Sequence, residues 1–428
     1  MGSTNPETFK GDTMLRRAEE LTTVWAYKTG QLRSSDDLVL LDNVQFIYEL
    51  ALAELELESF GAKFQITNGL RKFSLQSVQD EVEMVHRLAY FRSVKGKETD
   101  YFKIIQYNQT RSVNQYLTHW IYPYKGKFHP QMIRALLNCL GLKPGETVLD
   151  PFVGSGTTAL EAQLLGVNCV GVDVSPLCVL QGRVKTHSIE AIQEIEEARK
   201  LFQSFSSPVF GEEPNLDRAI GSIQEERARN FYTIAKLISV SDNARRGKEF
   251  MKSFSTNIEL MISSVKDYLM AIEQLKLKLG TVDIREGDAR NLPLADNKMD
   301  GIITSPPYSI ALDYVDNDKH SLEEMGYNID EIREGFIGVR GKGNRRIELY
   351  NDDMRKSFSE MYRVLRPGRF AAIVIGNATY QGSEVETVEF AIEEAENLGF
   401  KLIRNMDKII FGLYNVMRKE NILILQKP

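Results

Sequence analysis

Two short runs of the chain carry residue types that could do chemistry together. Residues 150–158 read Asp-Pro-Phe-Val-Gly-Ser-Gly-Thr-Thr, and residues 304–308 read Thr-Ser-Pro-Pro-Tyr. The glycines of the first run would let the backbone approach a ligand where a Cβ would collide. In the second run two prolines remove amide donors, which leaves the Ser305 hydroxyl and the Pro306 carbonyl as acceptors. The two runs predict a ligand pocket beside a catalytic edge.

The elements around the first run predict how it is held. It follows a short apolar strand at 147–149 and precedes a helix of small and apolar residues at 159–165, which indicates strand, glycine turn and helix. A second strand ends at Asp173, about 20 residues after the glycines, where a carboxylate can bind the two hydroxyls of a ribose. A nicotinamide enzyme would satisfy these features too, although its turn usually has a third glycine where this chain has Ala159. The turn therefore predicts a nucleoside cofactor without identifying it.

The second run suits the exocyclic amine of a nucleobase, because the two amine protons need acceptors and the ring can stack on Tyr308. With both runs, the chain resembles the amino-directed S-adenosylmethionine-dependent DNA methyltransferases. In that family the acidic-Pro-Phe-x-Gly-x-Gly run binds the methyl donor, and a (Ser/Asp/Asn)-Pro-Pro-(Tyr/Phe/Trp) tetrapeptide is catalytic. Ser in the first place, as at Ser305, is commonest in enzymes that methylate the 4-amino group of cytosine, and Asp is commoner in those that methylate the 6-amino group of adenine.

The resemblance implies a set of site residues, with S-adenosylmethionine as the cofactor. Asp288 matches the acid that the family places against the adenine amino group of the cofactor. His129 lies in a segment, 118–130, that resembles the one closing over the methionine end. The residues expected to bind the cofactor are His129, Asp150, Phe152, Gly154, Ser155, Gly156, Thr157, Asp173, Asp288 and Ala289. Those expected to be catalytic are Ser305, Pro306, Pro307 and Tyr308.

The expected partner is double-stranded DNA with the target base flipped out of the helix. Ser305 Oγ and the Pro306 carbonyl would accept the amine protons and favour a pyramidal nitrogen, so that the methyl group moves directly from the sulfonium. Tyr308 would stack on the base. Phe411 or Tyr414, in a predicted hairpin, would complete the clamp, with core packing as the alternative for both aromatics.

Phosphate contacts are predicted for one glycine-rich segment. The formal net charge of −6 requires that any DNA-binding surface be local. Residues 333–346 are interpreted as a mobile loop that becomes ordered on the phosphate backbone, and a solvated linker is the alternative. The cations of this loop that are expected to contact phosphates are Arg340, Lys342, Arg345 and Arg346.

Three regions are predicted along the chain. Residues 117–187 and 279–428 match the methyltransferase domain, for which we expect a Rossmann-like α/β sheet with helices on both faces and a final antiparallel hairpin. Residues 1–116 are predicted to be mostly helical, with helices at 36–60 and 75–94. The apolar stripe of these helices would serve as core or as a contact to a second copy or a partner subunit. The insert, 188–278, has helical periodicity and is either a DNA-recognition or lid module or a packing appendage.

Composition excludes several other classes. No apolar stretch of the 428 residues approaches the roughly 20 needed to span a bilayer, and no secretory signal is evident, so we expect a cytoplasmic protein without membrane contact. None of the three cysteines follows a proline, which argues against ring-carbon methylation of cytosine. Asp313, Asp316 and Asp318 are expected to cap a helix or face water, and no metal is expected.

Two other functions remain open from the sequence. Some tRNA guanine methyltransferases share the Asp-Pro-Phe glycine run and a similar Pro-Pro-Tyr motif, usually with Asp first, so an RNA amino-methyltransferase is one alternative. A non-catalytic cofactor-binding or scaffold subunit is the other. The intact residues Asp173 and Ser305 argue against this last function.

Overall fold

The computed structural model describes residues 37–67, 70–108, 112–203, 215–307, 313–380, 383–411 and 417–428. The N-terminal part forms a five-stranded sheet with helices beside it. Its elements are β1 (Leu38–Leu40), α1 (Ile47–Ser59), β2 (Lys63–Thr67), β3 (Lys72–Ser77), α2 (Glu81–Arg87), β4 (Phe91–Val94), β5 (Lys97–Glu98) and α3 (Asp100–Ile104). The strand order is β2-β3-β1-β4-β5, and all of the pairings are antiparallel.

The prediction of a mostly helical N-terminal region was wrong for the described residues. Helices α1 and α2 lie inside the two predicted helices, but five strands take up much of the rest. Strand β3 alternates partly buried polar residues with the buried Phe73 and Leu75, which is the period of two that marks a strand. Pairing of β4 with β1 buries Phe91 and Val94, so tertiary contacts outweigh the local helical spacing there.

Helix α1 is part of the core, and it packs on the helix that precedes the large sheet. Glu56, in the acidic run of α1, is fully buried and accepts hydrogen bonds from the Ala89 N–H at 2.8 Å and from Asn138 Nδ2 at 2.6 Å. Burial raises the pKa of Glu56 to about 7, against the opposing effect of these hydrogen bonds. Leu52 and Leu57 share one apolar cluster with Leu136. The described stripe of α1 is therefore core.

A seven-stranded sheet forms the centre of the larger part. The elements of this larger part, in chain order, are α4 (Pro130–Cys139), β6 (Thr147–Asp150), α5 (Thr157–Leu164), β7 (Asn168–Asp173), α6 (Pro176–His187), α7 (Ile192–Gln203), α8 (Leu216–Gly221), α9 (Glu226–Arg246), α10 (Phe250–Leu275), β8 (Val282–Glu286), β9 (Met299–Thr304), α11 (Tyr314–Glu324), α12 (Ile329–Gly335), α13 (Asn344–Val364), β10 (Leu365–Ile375), β11 (Ala378–Tyr380), β12 (Ser383–Val385), α14 (Thr387–Asn397), β13 (Lys401–Phe411) and β14 (Met417–Gln426). Strands β11 and β12 form a separate pair.

The order of the large sheet is β13-β14-β10-β9-β6-β7-β8. Strands β8, β7, β6, β9 and β10 run parallel, and β14 is antiparallel to both β10 and β13. This topology confirms the predicted Rossmann-like fold with a final antiparallel hairpin. The carboxyl ends of the parallel strands share one edge, which is where such sheets bind ligands.

In the described residues of the insert every regular element is helical, from a short 3-10 turn at Ser188–Ala191 through α10. Helix α9 packs against α6 and α11, and Phe231 shares an apolar cluster with Leu177 and Val315. Lys236 of α9 forms ion pairs with Asp217 and with Glu324 of α11. The insert thus packs against and supports α11, the helix that follows the Ser-Pro-Pro-Tyr run. A role of the insert in DNA recognition stays a prediction.

None of the described helices is long and apolar enough to cross a membrane. Nor do the described residues bring three or more His, Cys, Asp or Glu side chains together in a way that could hold a metal ion. Of the acids expected at the start of α11, Asp313 caps the helix and accepts the Asp316 N–H at 3.0 Å. Asp318 was expected to cap or face water, but it is buried, and the Tyr122 hydroxyl donates to it at 3.4 Å.

Candidate active site

Most of the predicted cofactor-binding and catalytic residues surround one cavity of about 970 Å³ at the carboxyl edge of the large sheet. A cavity of this size is at the upper end for small-molecule sites. The predicted residues that line it are His129, Phe152, Gly154, Ser155, Thr157, Asp173, Asp288, Ala289, Ser305 and Pro307. The cofactor run and the catalytic run therefore open into the same space.

The glycine turn between β6 and α5 depends on two residues with positive φ, Gly154 at 47° and Gly156 at 76°. Gly154 lines the cavity, as predicted. Gly156 does not; a Cβ there would lie 2.9 Å from the Cα of Gly182 in α6. Its lack of a side chain lets α5 begin against α6, so Gly156 serves close packing, and its predicted cofactor contact stays a prediction.

Asp150, at the end of β6, also lies outside the cavity lining and is buried. Its Oδ1 accepts the Thr304 hydroxyl at 2.7 Å and the Phe152 N–H at 3.2 Å. Burial raises the pKa of Asp150 to about 6, and the hydrogen bonds limit the rise. Asp150 therefore holds the turn and joins β6 to β9, and its predicted direct role in binding the cofactor stays a prediction.

Asp173 ends β7 and faces the cavity. Its Oδ2 accepts the Gly154 N–H at 2.8 Å, and its Oδ1 accepts the Ser175 N–H at 2.9 Å. Burial raises the pKa of Asp173 to about 6 against these hydrogen bonds. A carboxylate has about four acceptor positions, so Asp173 keeps capacity for a ligand's hydroxyl groups.

Asp288 lies after β8 and is fixed by an arginine that the sequence analysis missed. The Arg290 side chain donates to both Asp288 oxygens, with Nε at 2.9 Å from each and Nη2 at 2.7 Å from Oδ2. Burial would raise the pKa of Asp288, but the hydrogen bonds from Arg290 outweigh it and hold this pKa below its usual value. Arg290 also donates to Asp353 at 3.0 Å and to the Gly335 carbonyl at 3.0 Å. The guanidinium thus connects Asp288 to the segment that forms the neighbouring cavity wall.

The described part of the catalytic run leaves β9 and turns along the cavity. Ser305 and Pro307 line the cavity, and Pro306 is buried. The Tyr350 hydroxyl donates to the Pro307 carbonyl at 2.9 Å and so fixes the run from α13. Tyr308 lies outside the described residues.

Two comparisons with known proteins agree with this geometry. A family model described as DNA methylase matches residues 10–180, which include the glycine run and Asp173 and end before Ser305. The Type II methyltransferase M.BsoBI of Geobacillus stearothermophilus is 26% identical over 431 aligned residues, which cover 74% of this chain and 84% of that protein. These matches support an amino-directed DNA methyltransferase family for this chain.

Two further relatives match shorter parts of this methyltransferase. The Type II methyltransferase M.MjaII of Methanocaldococcus jannaschii is 32% identical over 124 residues, 28% of this chain and 23% of that protein. A tRNA (guanine(10)-N2)-dimethyltransferase of Methanothermobacter thermautotrophicus is 43% identical over 51 residues, 12% of this chain and 15% of that protein.

The cofactor of this methyltransferase is S-adenosylmethionine, and the cavity fits it. Acceptors for hydroxyl and amino groups stand at Asp173 and Asp288, and the backbone turn at Gly154 leaves room for close approach of a ligand. His129 lines the same cavity and is neutral at pH 7, because burial lowers its pKa to about 4. Its Nδ1 lies 3.4 Å from Asn114 Nδ2.

The far wall of the methyltransferase cavity contains charged residues that the sequence did not indicate. Lys408 and Glu420 form an ion pair between β13 and β14, and Lys419 lines the same wall. Of the two aromatic residues predicted in this hairpin, Phe411 ends β13, whereas Tyr414 lies outside the described residues. The base-stacking role of these aromatics stays a prediction.

A pair of stacked tyrosines also lines the cavity without having been predicted. The rings of Tyr124 and Tyr314 lie 6.2 Å apart at an interplanar angle of 17°. The Tyr124 ring also lies against the glycine turn, 3.4 Å from the position that a Cβ would take on Gly154. The start of α11 therefore contacts the cofactor turn through two aromatic rings.

The predicted phosphate-binding loop is shorter and more constrained than expected. Helix α12 ends at Gly335 and α13 begins at Asn344, so Arg345 and Arg346 are helical. Arg346 Nε donates to the Gly338 carbonyl at 2.7 Å, and Arg340 is bound to the buried Asp353. These two arginines stabilise the loop itself, because their guanidinium groups already bind protein acceptors.

The other two cations predicted to contact phosphates, Lys342 and Arg345, are exposed. Lys342 lies between glycines in the loop, and Arg345 pairs with Glu348 at 3.0 Å on the surface of α13. Exposed ion pairs contribute little and exchange readily for phosphate. The prediction of phosphate contacts is therefore narrowed to these two residues.

Proposed function

We propose that the protein is a site-specific DNA methyltransferase that transfers a methyl group from S-adenosylmethionine to the 4-amino group of a flipped-out cytosine. The observation that carries the proposal is Ser305, a hydroxyl in the first place of the tetrapeptide, at the carboxyl end of β9 and on the wall of the cofactor cavity. Within the family, this residue type favours cytosine over adenine.

We infer that the nucleoside half of the cofactor lies over β7 and β8. Asp173 would accept the ribose hydroxyls, and Asp288 with the backbone of Ala289 would bind the adenine edge. Phe152, Gly154, Ser155 and Thr157 would bound the rest of the molecule. When bound, S-adenosylmethionine supplies a methyl group on a sulfonium, which is electrophilic.

The residues of the chain would then make the target amine reactive. The amine is a poor nucleophile, because its lone pair is delocalised into the ring. Ser305 Oγ and the Pro306 carbonyl would each accept one amine proton, which favours a pyramidal nitrogen whose lone pair points at the methyl group. The hydrogen bonds of Tyr350 to Pro307 and of Thr304 to Asp150 hold these acceptors in register with the cofactor turn.

The base would enter from the side of β14 and β13. On this side the cavity wall contains Lys408, Lys419 and Glu420, across β10 from the catalytic run. Their donors and acceptors can meet the polar edge of an extruded base, and Tyr308 would stack on its face. Lys342 and Arg345 would contact phosphates outside the cavity.

The proposal is tested by the methylated nucleosides that the protein makes. The protein is incubated with methyl-labelled S-adenosylmethionine and either enzymatically amplified DNA of mixed sequence or total RNA, and the digests are analysed by mass spectrometry. Label in 4-methylcytosine of DNA is the expected result. Label in 6-methyladenine instead would assign the protein to the adenine enzymes and overturn the cytosine proposal.

A second candidate, an RNA amino-methyltransferase, is favoured by the short match to a tRNA guanine dimethyltransferase. Label found in RNA alone would establish this candidate. Label in neither polymer, from a protein that binds S-adenosylmethionine, would point to a non-catalytic subunit. A Ser305→Ala variant, run in parallel, controls for contaminating methyltransferases in the preparation.

A further inference from the structure

A partly buried lysine ammonium group stands on the wall of the cofactor cavity. Lys127 lines the cavity together with Ser155 and Thr157. Its Nζ donates to the His119 carbonyl at 2.5 Å and to the Asn114 carbonyl at 3.4 Å. Among the described residues, no carboxylate lies within ion-pair distance of this ammonium. A lysine ammonium has three donors, so Lys127 has one more to direct into the cavity.

The groups around Lys127 leave its charge without a counter-ion. Glu161 is the acid whose charge acts on Lys127 and raises its pKa. The Glu161 carboxylate already accepts hydrogen bonds from Tyr116 at 2.5 Å, His119 at 2.8 Å and Arg134 at 3.3 Å. Lys185, whose Nζ donates to the Ser155 carbonyl at 2.7 Å, adds a second buried amine behind the turn. Burial lowers the pKa of Lys127 to about 7, against the opposing effect of Glu161.

The position of Lys127 in the fold decides what anion would reach it. The nucleoside acceptors Asp173 and Asp288 follow β7 and β8, and Ser305 follows β9. Strand β6 and its glycine turn lie between β7 and β9 in the sheet. A cofactor whose sulfonium faces Ser305 and whose ribose faces Asp173 must therefore place its amino-acid part over the turn after β6, beside Lys127.

We propose that Lys127 binds the carboxylate of the methionine part of S-adenosylmethionine. The inference rests on the cofactor placement proposed above. The N-terminus of α5, which begins at Thr157, adds the positive end of a helix to the same corner. Lys185 does not line the cavity, and His129 is neutral, so neither replaces Lys127 as the cationic partner.

Binding of the carboxylate would also take up a proton. An anion against Lys127 favours the ammonium, so above pH 7 the complex binds more protons than the free protein, and affinity falls as pH rises. Of the groups that face Lys127, His119 and His129 have pKa values of about 4, the pKa of Glu161 is held below its usual value, and burial lowers the pKa of Lys185 well below its usual value.

The test compares two ligands that differ only in the carboxylate. The affinities of S-adenosylmethionine and decarboxylated S-adenosylmethionine are measured by calorimetry on the wild-type protein and on Lys127→Met. The wild-type protein should prefer the carboxylate-bearing ligand roughly 10- to 100-fold, as expected for a charge-assisted hydrogen bond. The variant should bind both ligands with similar affinity.

Three further variants separate this role from a structural one. Lys127→Arg should keep most of the preference, because it keeps the charge. Lys127→Gln, which retains donors for the two carbonyls, should lose the preference, and it replaces Lys127→Met if that variant does not fold. Lys125→Met removes the neighbouring lysine, which also lines the cavity but is exposed and donates from Nζ to Asn317 Oδ1 at 2.7 Å; this variant should retain the full preference.

Proton uptake provides a second readout. Calorimetry in two buffers of different ionisation enthalpy at pH 8 should show more protons taken up by the wild-type protein than by Lys127→Gln. A Lys127→Gln variant that keeps the wild-type preference between the ligands would overturn the proposal, as would a wild-type protein that binds both equally. Failure of the wild-type protein to bind either ligand would instead overturn the cofactor placement, and this proposal with it.

Discussion

The Thr304 hydroxyl donates a 2.7 Å hydrogen bond to the buried carboxylate of Asp150, 154 positions earlier in the chain. Asp150 begins the cofactor run, and Thr304 immediately precedes Ser305. Strands β6 and β9 are neighbours, so this bond crosses from the strand of the cofactor turn to the strand of the catalytic run. It fixes the distance between the two runs, on which alignment of the methyl donor and the amine depends.

The buried Asp150 makes stability depend on pH in a direction that a variant can isolate. Its pKa is raised from 3.8 to about 6, so it favours the folded state most below pH 4 and loses this contribution as pH rises through 6. The free energy of unfolding of the wild-type protein, relative to Asp150→Asn, should therefore fall by on the order of 2–3 kcal/mol between pH 4 and pH 7. Urea unfolding of both proteins at several pH values measures this difference, and a pH-independent difference would contradict the assignment.

The sequence predicted the parts of the site that lie in continuous motifs. Asp173 and Gly154 were recognisable because a strand, a glycine turn and a strand-end carboxylate follow each other at fixed spacing. Arg290 was not recognisable, because its role depends on hydrogen bonds to Asp353 and to the Gly335 carbonyl, which are far away in the chain. Gly182 was missed for the same reason: only the packed helices show that Gly156 needs it.

The fold, like the site, was predictable from the sequence only in part. The parallel part of the large sheet follows from alternating apolar strands and helices. The N-terminal sheet does not, since β3 is six residues long and β4 four, and their burial comes from pairing with β1. The ion pair of Arg340 with Asp353 was not predictable, because a glycine-rich charged run carries no sign of the acid that the fold brings to it.

Asp173→Ala should weaken binding of the methyl donor. The variant removes both the proposed ribose acceptor and the hydrogen bond that the Gly154 N–H makes with Asp173, so we expect the dissociation constant for S-adenosylmethionine to rise roughly 10- to 100-fold. Calorimetry measures the constant. Asp173→Asn keeps one acceptor oxygen, so its dissociation constant should lie between those of the wild-type protein and Asp173→Ala. Unchanged affinity in the alanine variant would exclude Asp173 from the cofactor pocket.

Ser305→Ala should lower turnover and leave donor binding intact. The hydroxyl is proposed to act on the target amine, so its loss should reduce kcat roughly 10- to 100-fold while the affinity for S-adenosylmethionine stays within about twofold of wild type. Single-turnover methylation and calorimetry separate the two quantities. Near-normal turnover would mean that the Pro306 carbonyl and Tyr308 suffice without the hydroxyl.

Arg290→Met tests whether this arginine positions Asp288. Without the guanidinium, Asp288 loses its side-chain hydrogen bonds and Asp353 keeps Arg340 alone. We expect the dissociation constant for S-adenosylmethionine to rise roughly tenfold, and the free energy of unfolding to fall by about 3 kcal/mol because a largely buried ion pair is broken.

The matched control is Arg340→Met, because it removes the other partner of Asp353 and leaves the pair of Asp288 and Arg290 in place. This control should lose stability in urea and keep its affinity for S-adenosylmethionine. A purely structural role for Arg290 would make the two variants alike in both measurements. If both variants lose stability but only Arg290→Met loses affinity for S-adenosylmethionine, Arg290 is the residue that holds Asp288 toward the cavity.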